Sequence, residues 1–309
     1  MDQSIDMRPF AHLYPFRSHY LPLRGGLRYH YLDEGAGSPM VMVHGNPTWS
    51  FFFRRLVTAF RDEFRVIVPD HMGCGLSDKP DAKRYGFRLT DRVADLTALL
   101  DHLAPQGPVT LVVHDWGGMI GLAWALDHLD QVERLVIMNT AGFFPPGRKA
   151  IPQRLRLLRT PNPLMDRLVL HANLFARAAL YMAPRRRLAP DVKAGLIAPY
   201  NCPRHRLATL KFVQDIPLGP RDPSGAIVQR VSDNLARIGD RPVQLIWGAH
   251  DFVFDRSYYE EWRRRLPLAE AHWIFEAGHY LMEDVPEVVV GMMRNFVSEN
   301  RVLSLKFKV

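Results

Sequence analysis

Short runs of apolar and β-branched residues recur along this chain, each stopping at a loop, and residues at helical spacing fill the gaps between them. The runs at 39–43, 64–68, 109–113, 135–138, 243–247 and 272–275 are apolar at most consecutive positions, so both faces of each would be buried. Strands of that kind suit a parallel sheet covered on both sides, and parallel neighbours need crossovers long enough to hold a helix. The clearest helix is predicted over 90–103, where Val93, Leu96, Leu99, Leu100 and Leu103 form one stripe behind a Thr90-Asp91 start. One further strand, 27–32, alternates at period two and ends in the turn Asp33-Glu34-Gly35. Strand then helix, repeated, predicts a doubly wound α/β sheet.

The rhythm breaks after Thr140. Phe143-Phe144-Pro145-Pro146-Gly147 opens a mainly helical, Arg- and Pro-rich stretch, and the strand–helix pattern resumes near Arg241. We therefore expect a core at 20–142 and 231–300 and an inserted helical cap at 143–230. The insertion follows the C-terminal end of a strand, the edge where open α/β sheets place their binding crevices. The chain's formal charge of +8 is concentrated there, since 143–230 carries 16 Lys and Arg against 4 Asp and Glu and the remainder is net acidic.

No helix-turn-helix, zinc-finger or RNA-recognition pattern accompanies that charge, so nucleic acid is not expected as a partner. No apolar run approaches the ~18 residues that span a bilayer, and the first residues lack the basic and apolar regions of a signal peptide, so the expectation is a soluble, cytoplasmic protein. At 47% hydrophobic and 23% charged residues the composition excludes disorder. Cys74 and Cys202 are too few for a disulfide framework and sit in no metal-ligand spacing, so free thiols are expected, and nothing demands a metal or organic cofactor. The tail at 302–309 reads either as an alternating strand or as a frayed end.

The stretch with chemical content is Leu111-Val112-Val113-His114-Asp115-Trp116-Gly117-Gly118, an apolar strand that stops at a carboxylate and passes through two glycines into a helical run. A nucleophile elbow has this form: a sharp strand-to-helix turn lifts the reacting side chain out, needs small neighbours, and aims helix N-terminal N–H groups at developing negative charge. Asp115 takes the nucleophile position. Gly117 conforms to the pattern, whereas Val113 stands where a small residue is usual. Later segments, Gly248-Ala249-His250-Asp251 and Ala277-Gly278-His279-Tyr280, supply an acid and a base in the chain order nucleophile, acid, base. His279 would activate water and Asp251 would orient it, with Asp255 as the rival acid. In Met42-Val43-His44-Gly45-Asn46-Pro47, the backbone N–H of Asn46 would form an oxyanion hole with that of Trp116, each donor being worth about 3 kcal/mol in the transition state. Side-chain N–H groups of Asn46 and Trp116 could cradle a leaving anion.

His44-Gly45-Asn46-Pro47-Thr48-Trp49-Ser50, Pro69-Asp70-His71-Met72-Gly73-Cys74-Gly75-Leu76-Ser77, His114-Asp115-Trp116-Gly117-Gly118, Trp247-Gly248-Ala249-His250-Asp251 and Gly278-His279-Tyr280 together resemble the haloalkane dehalogenase family. The resemblance spans most of the expected core. It implies an α/β-hydrolase fold, a mostly parallel eight-stranded sheet flanked by helices with an inserted helical cap. It also implies roles: Asp115 displaces a leaving group from an sp³ carbon to give an alkyl-enzyme ester, His279 activates the water that hydrolyses it, and Asn46 and Trp116 hold the leaving halide.

Within that family, Asn139-Thr140-Ala141, Ala198-Pro199-Tyr200-Asn201, Phe212-Val213-Gln214-Asp215-Ile216-Pro217-Leu218 and Asp251-Phe252-Val253-Phe254-Asp255 look most like the β-lactone decarboxylases of bacterial long-chain olefin biosynthesis. The resemblance then implies a hydrophobic small-molecule substrate, a β-lactone with two alkyl chains, converted to alkene and CO₂. It leaves open whether Asp115 meets the ring carbon or the carbonyl. It further implies work beside a lactone-forming synthetase and a reductase, for which the basic cap, including Arg185-Arg186-Arg187, would be either a docking face or an attractor for a chain-bearing anionic surface. The alternatives are dehalogenation and, further off, epoxide hydrolysis, which would use Tyr181 and Tyr200 as proton donors. Phe51-Phe52-Phe53 and Phe143-Phe144 are candidates for an apolar pocket or for core packing, and Asp70 reads as a loop anchor.

Overall fold

A computed structural model describes residues 5–148 and 150–306. Eight strands, β1 (His19–Pro22), β2 (Arg28–Glu34), β3 (Ser38–Val43), β4 (Phe64–Pro69), β5 (Val109–Asp115), β6 (Val132–Thr140), β7 (Val243–Gly248) and β8 (Glu270–Ile274), form one sheet in the order β1-β2-β4-β3-β5-β6-β7-β8. β1 and β2 pair antiparallel to their neighbours and the remaining strands run parallel. The helices are α1 (Arg54–Phe60), α2 (Leu89–Leu103), α3 (Trp116–Asp127), α4 (Gln153–Arg159), α5 (Pro163–Ala172), α6 (Leu174–Met182), α7 (Pro190–Ile197), α8 (Leu207–Gln214), α9 (Gly225–Asn234), α10 (Arg256–Arg265), α11 (Leu281–Asp284) and α12 (Pro286–Lys306).

The consecutive apolar positions of the strands feed two cores. Val41 and Val43 of β3, with Leu111 and Val113 of β5, face one layer, where Leu96, Ile120 and Trp262 bring in α2, α3 and α10. Met40, Met42 and Val112 face the other, where Leu56, Val57, Met293 and Phe296 bring in α1 and α12. That two-sided burial is why the central strands lack the alternation of a half-exposed sheet.

Between β6 and β7 the chain is helical from α4 to α9. The expected cap boundary at 230 falls inside α9, and α9 packs against α3 of the sheet layer. β1, for which the sequence gives no strand pattern, is a four-residue edge strand. The tail is not a strand: α12 runs through Lys306, since lengthening an existing helix needs no new nucleus, and residues 307–309 lie outside the described residues. Among the described residues no helix is long and apolar enough to cross a membrane.

Candidate active site

β5 ends at Asp115, whose backbone sits at φ 52°, ψ −128° immediately before α3 begins at Trp116. A non-glycine residue at positive φ is strained, and surrounding contacts hold it there. The Thr140 hydroxyl donates to the Asp115 carbonyl oxygen, and the β5–β6 register shifts at this residue. The glycines on either side are demanded by close approach: a Cβ on Gly45 would overlap the Asp115 carboxylate, and one on Gly117 would overlap the Val43 carbonyl. The Asn46 N–H, preceding a cis Asn46–Pro47 bond, donates to Asp115 Oδ1 at 2.7 Å. Oδ2 is left facing His279 Nε2 at 3.5 Å.

His279 is held from both sides. Its Nδ1–H donates to Asp251 Oδ2 at 2.7 Å, and His114 Nε2–H donates to its carbonyl oxygen at 2.9 Å. Burial works against a charge on His279, but Asp251 and then Asp115 outweigh it and hold the imidazole up at about 10. Burial alone would raise Asp251; the His279 charge and the N–H groups of Val253 and Phe254, at 2.7 and 2.9 Å from Oδ1, instead keep it below the usual carboxylate range. Neighbouring His114 is pushed down to about 3 by burial and then by the His279 charge, so it stays neutral.

The structure therefore brings Asp115, His279 and Asp251 into one hydrogen-bonded line. Asp255 is elsewhere, starting α10 with its carboxylate on the Ser257 N–H and hydroxyl. Asn139, at the end of β6, donates to Asp251 Oδ2 at 2.8 Å while its Oδ1 accepts from the Gly248 N–H. Sequence reasoning assigned Asn139 no site role; its signal was a polar pair, Asn139-Thr140, at the end of an apolar strand. His114 was likewise unassigned.

A raised histidine pKa links this site to stability. The proton gained by His279 stabilises the fold fully below the unfolded value of 6.5 and is lost as pH rises towards about 10. The midpoint of thermal unfolding should thus fall between pH 7 and pH 10, and His279→Gln should flatten that fall. An equal slope in wild type and variant would contradict the assignment.

Above Asp115 lies a cavity of about 350 Å³, apolar over most of its wall, with Phe143, Leu158, Met182, Val213 and Tyr258 among the lining residues and Asn46, Trp116 and His279 beside the carboxylate. Trp116 Nε1–H has no acceptor among the described residues. Asn46 does not offer its whole amide to a ligand, because one side-chain N–H donates to the Thr209 carbonyl of α8 at 3.1 Å. Phe51, Phe52 and Phe53 pack in the core and not in the cavity. Tyr181 and Tyr200 do not line it either: Tyr181 is exposed, with Lys193 4.4 Å over its ring, and Tyr200 is buried with its hydroxyl directed at the Thr48 carbonyl. Neither of these two tyrosines is therefore placed to give a proton to a substrate in the cavity. Asp70 accepts from the N–H groups of Ser50 and Leu76 and lies 2.7 Å from His30, anchoring the loop behind Gly45.

Residues 38–286 match the family described as alpha/beta hydrolase fold. The chain is 42% identical to the cis-3-alkyl-4-alkyloxetan-2-one decarboxylase of Shewanella oneidensis, over 94% of this chain and 92% of that protein. It is 30% identical to haloalkane dehalogenase 2 of Mycobacterium tuberculosis, over 92% of this chain and 96% of that one. The crystal structure of haloalkane dehalogenase DbeA from Bradyrhizobium elkani superposes with a TM-score of 0.82 at 24% identity, covering 93% of this chain and 99% of that one.

Proposed function

The chain belongs to the α/β-hydrolase fold family, in the group that contains both the cis-3-alkyl-4-alkyloxetan-2-one decarboxylases and the haloalkane dehalogenases, and we propose that it is a decarboxylase of cis-3,4-dialkyl β-lactones. The observation that carries this choice is the greater identity to the decarboxylase than to the dehalogenase over nearly the full chain. An apolar cavity above a buried carboxylate supports it, because such a wall suits two alkyl chains and only the ring needs polar contacts.

Asp115 is the nucleophile. Its Oδ1 already takes the Asn46 N–H, so the nearest oxyanion donor serves the nucleophile's own carboxylate and not a substrate carbonyl. This favours attack by Oδ2 on the sp³ ring carbon C4. The C4–O bond breaks with inversion, leaving an ester on Asp115 and a free carboxylate on C3. Trp116 Nε1–H and the second side-chain N–H of Asn46 receive that carboxylate. The C3–CO₂ bond then breaks, its electron pair becomes the C3=C4 bond, and the C4–O(Asp115) pair returns to Asp115. The balance is lactone to alkene plus CO₂, with no water consumed. Inversion followed by anti departure converts a cis lactone into a cis alkene.

His279, held by Asp251, keeps its proton through this cycle and offsets the charge on Asp115. As the base of a hydrolytic cycle it would have to lose that proton first. The purified protein should release cis alkene and CO₂ in equal amounts from a cis-β-lactone; a β-hydroxy acid as the product would mean that water opens the ring, and would overturn the reading.

The 143–230 segment closes over the 20–142 and 231–300 core as its lid. We place the reaction in the cytoplasm, within long-chain olefin biosynthesis, beside a lactone-forming synthetase and a reductase. Arg185, Arg186 and Arg187 support such docking: their side chains are exposed, while the N–H groups of Arg185 and Arg186 are pinned by Asp284, so charge can change there without moving the backbone. Reversing all three to Glu should abolish co-purification with these partners and leave turnover of free lactone within about twofold; unchanged co-purification would refute the docking face.

A further inference from the structure

Arg92 of α2 is completely buried, yet it touches no carboxylate among the described residues. Its Nη1 donates to the Phe87 carbonyl, whereas Nε and Nη2 have no partner there. The carboxylates around it are committed elsewhere. Asp215 holds the Arg88 guanidinium, the Leu89 N–H and Ser224; Asp91 holds the Arg88 N–H; and Asp95 holds the Tyr85 hydroxyl. Burying a cation without a counter-ion is costly, so a chain that keeps one in its interior has placed a positive field there.

That field lies next to the anion donor of the cavity. The Arg92 guanidinium carbon sits 3.6 Å over the Phe212 ring and 6.0 Å from the Trp116 ring, and the rings of Phe212 and Trp116 meet edge to face at 5.2 Å. The three side chains come from α2, α8 and α3, so the stack ties the helical insertion to the elbow. A cation close to an aromatic ring polarises it, making the N–H of an indole beside it a stronger donor.

We propose that Arg92 is a positioning residue for the anion released at Asp115, fixing the Trp116 indole through Phe212 and raising the anion affinity of its N–H. The identity of that anion, a carboxylate, rests on the decarboxylase reading; the affinity itself does not. The test titrates bromide, propionate and the neutral ligand 1-hexanol into the whole protein while following the Trp116 indole N–H by NMR. Arg92→Met should weaken both anions at least tenfold and leave 1-hexanol within twofold, and Arg92→Lys should recover part of the loss. Phe212→Leu, which breaks the stack and keeps the charge, gives the same selective effect in smaller measure and serves should Arg92→Met fail to fold. Equal weakening of anions and alcohol, or no weakening, would overturn the proposal. Because no turnover is involved, a protein that makes no alkene yet shows the selective loss would refute the decarboxylase reading alone.

Discussion

Asp115→Asn should stop alkene formation, lowering kcat by about 10⁴-fold or more while the fold stays intact. The carboxamide has the shape of the carboxylate, and its oxygen can still accept from the Asn46 N–H 2.7 Å away. Asparagine also tolerates the positive φ that this position imposes. What disappears is the charge on Oδ2, and with it the bond to the ring carbon. The variant should keep wild-type circular dichroism and still bind a long-chain alcohol in the apolar cavity. Activity within tenfold of wild type would exclude Asp115 as the nucleophile.

His279→Ala should separate the two chemistries that this site can run. With a bromoalkane, Asp115 can still be alkylated, but water then has no base, so the expected result is release of at most one bromide per protein and an alkyl adduct on the peptide that contains Asp115. Steady hydrolysis should drop by about 10³-fold or more. With the β-lactone, the second step needs no proton, so alkene should continue to appear beyond one equivalent. Its rate will be reduced, because Asp115 and Asp251 lose the cation between them. Lactone turnover that halts after one equivalent, with the adduct retained, would show that His279 acts in the second step and contradict the waterless route.

The parts of this architecture readable from sequence were those written locally. Runs apolar at consecutive positions announced the central strands because two core layers take alternate residues of each, Val41 and Met42 for instance. The elbow was readable because its geometry needs glycine at fixed offsets from Asp115. Features set by distant partners were not. Asn139 gains meaning only when β6 and β7 lie side by side and bring it against Asp251. Arg92 sits on the predicted helix as one cation among many, and its isolation depends on how Asp215, Asp91 and Asp95 find other partners. Phe51-Phe52-Phe53 and Tyr200 show the opposite case, side chains suited to a pocket that packing took into the interior. The edge strand β1 left no trace because four residues are too few to establish a period.

Whether Asp115 opens a β-lactone and not a carbon–halogen bond in normal use is decided by giving the purified protein a long-chain cis-β-lactone and a panel of bromoalkanes side by side, with alkene read by gas chromatography and bromide by ion analysis. Fast alkene release and slow or no bromide release are expected. Efficient bromide release with no alkene would contradict the decarboxylase reading, and would make Trp116 and Asn46 a halide site.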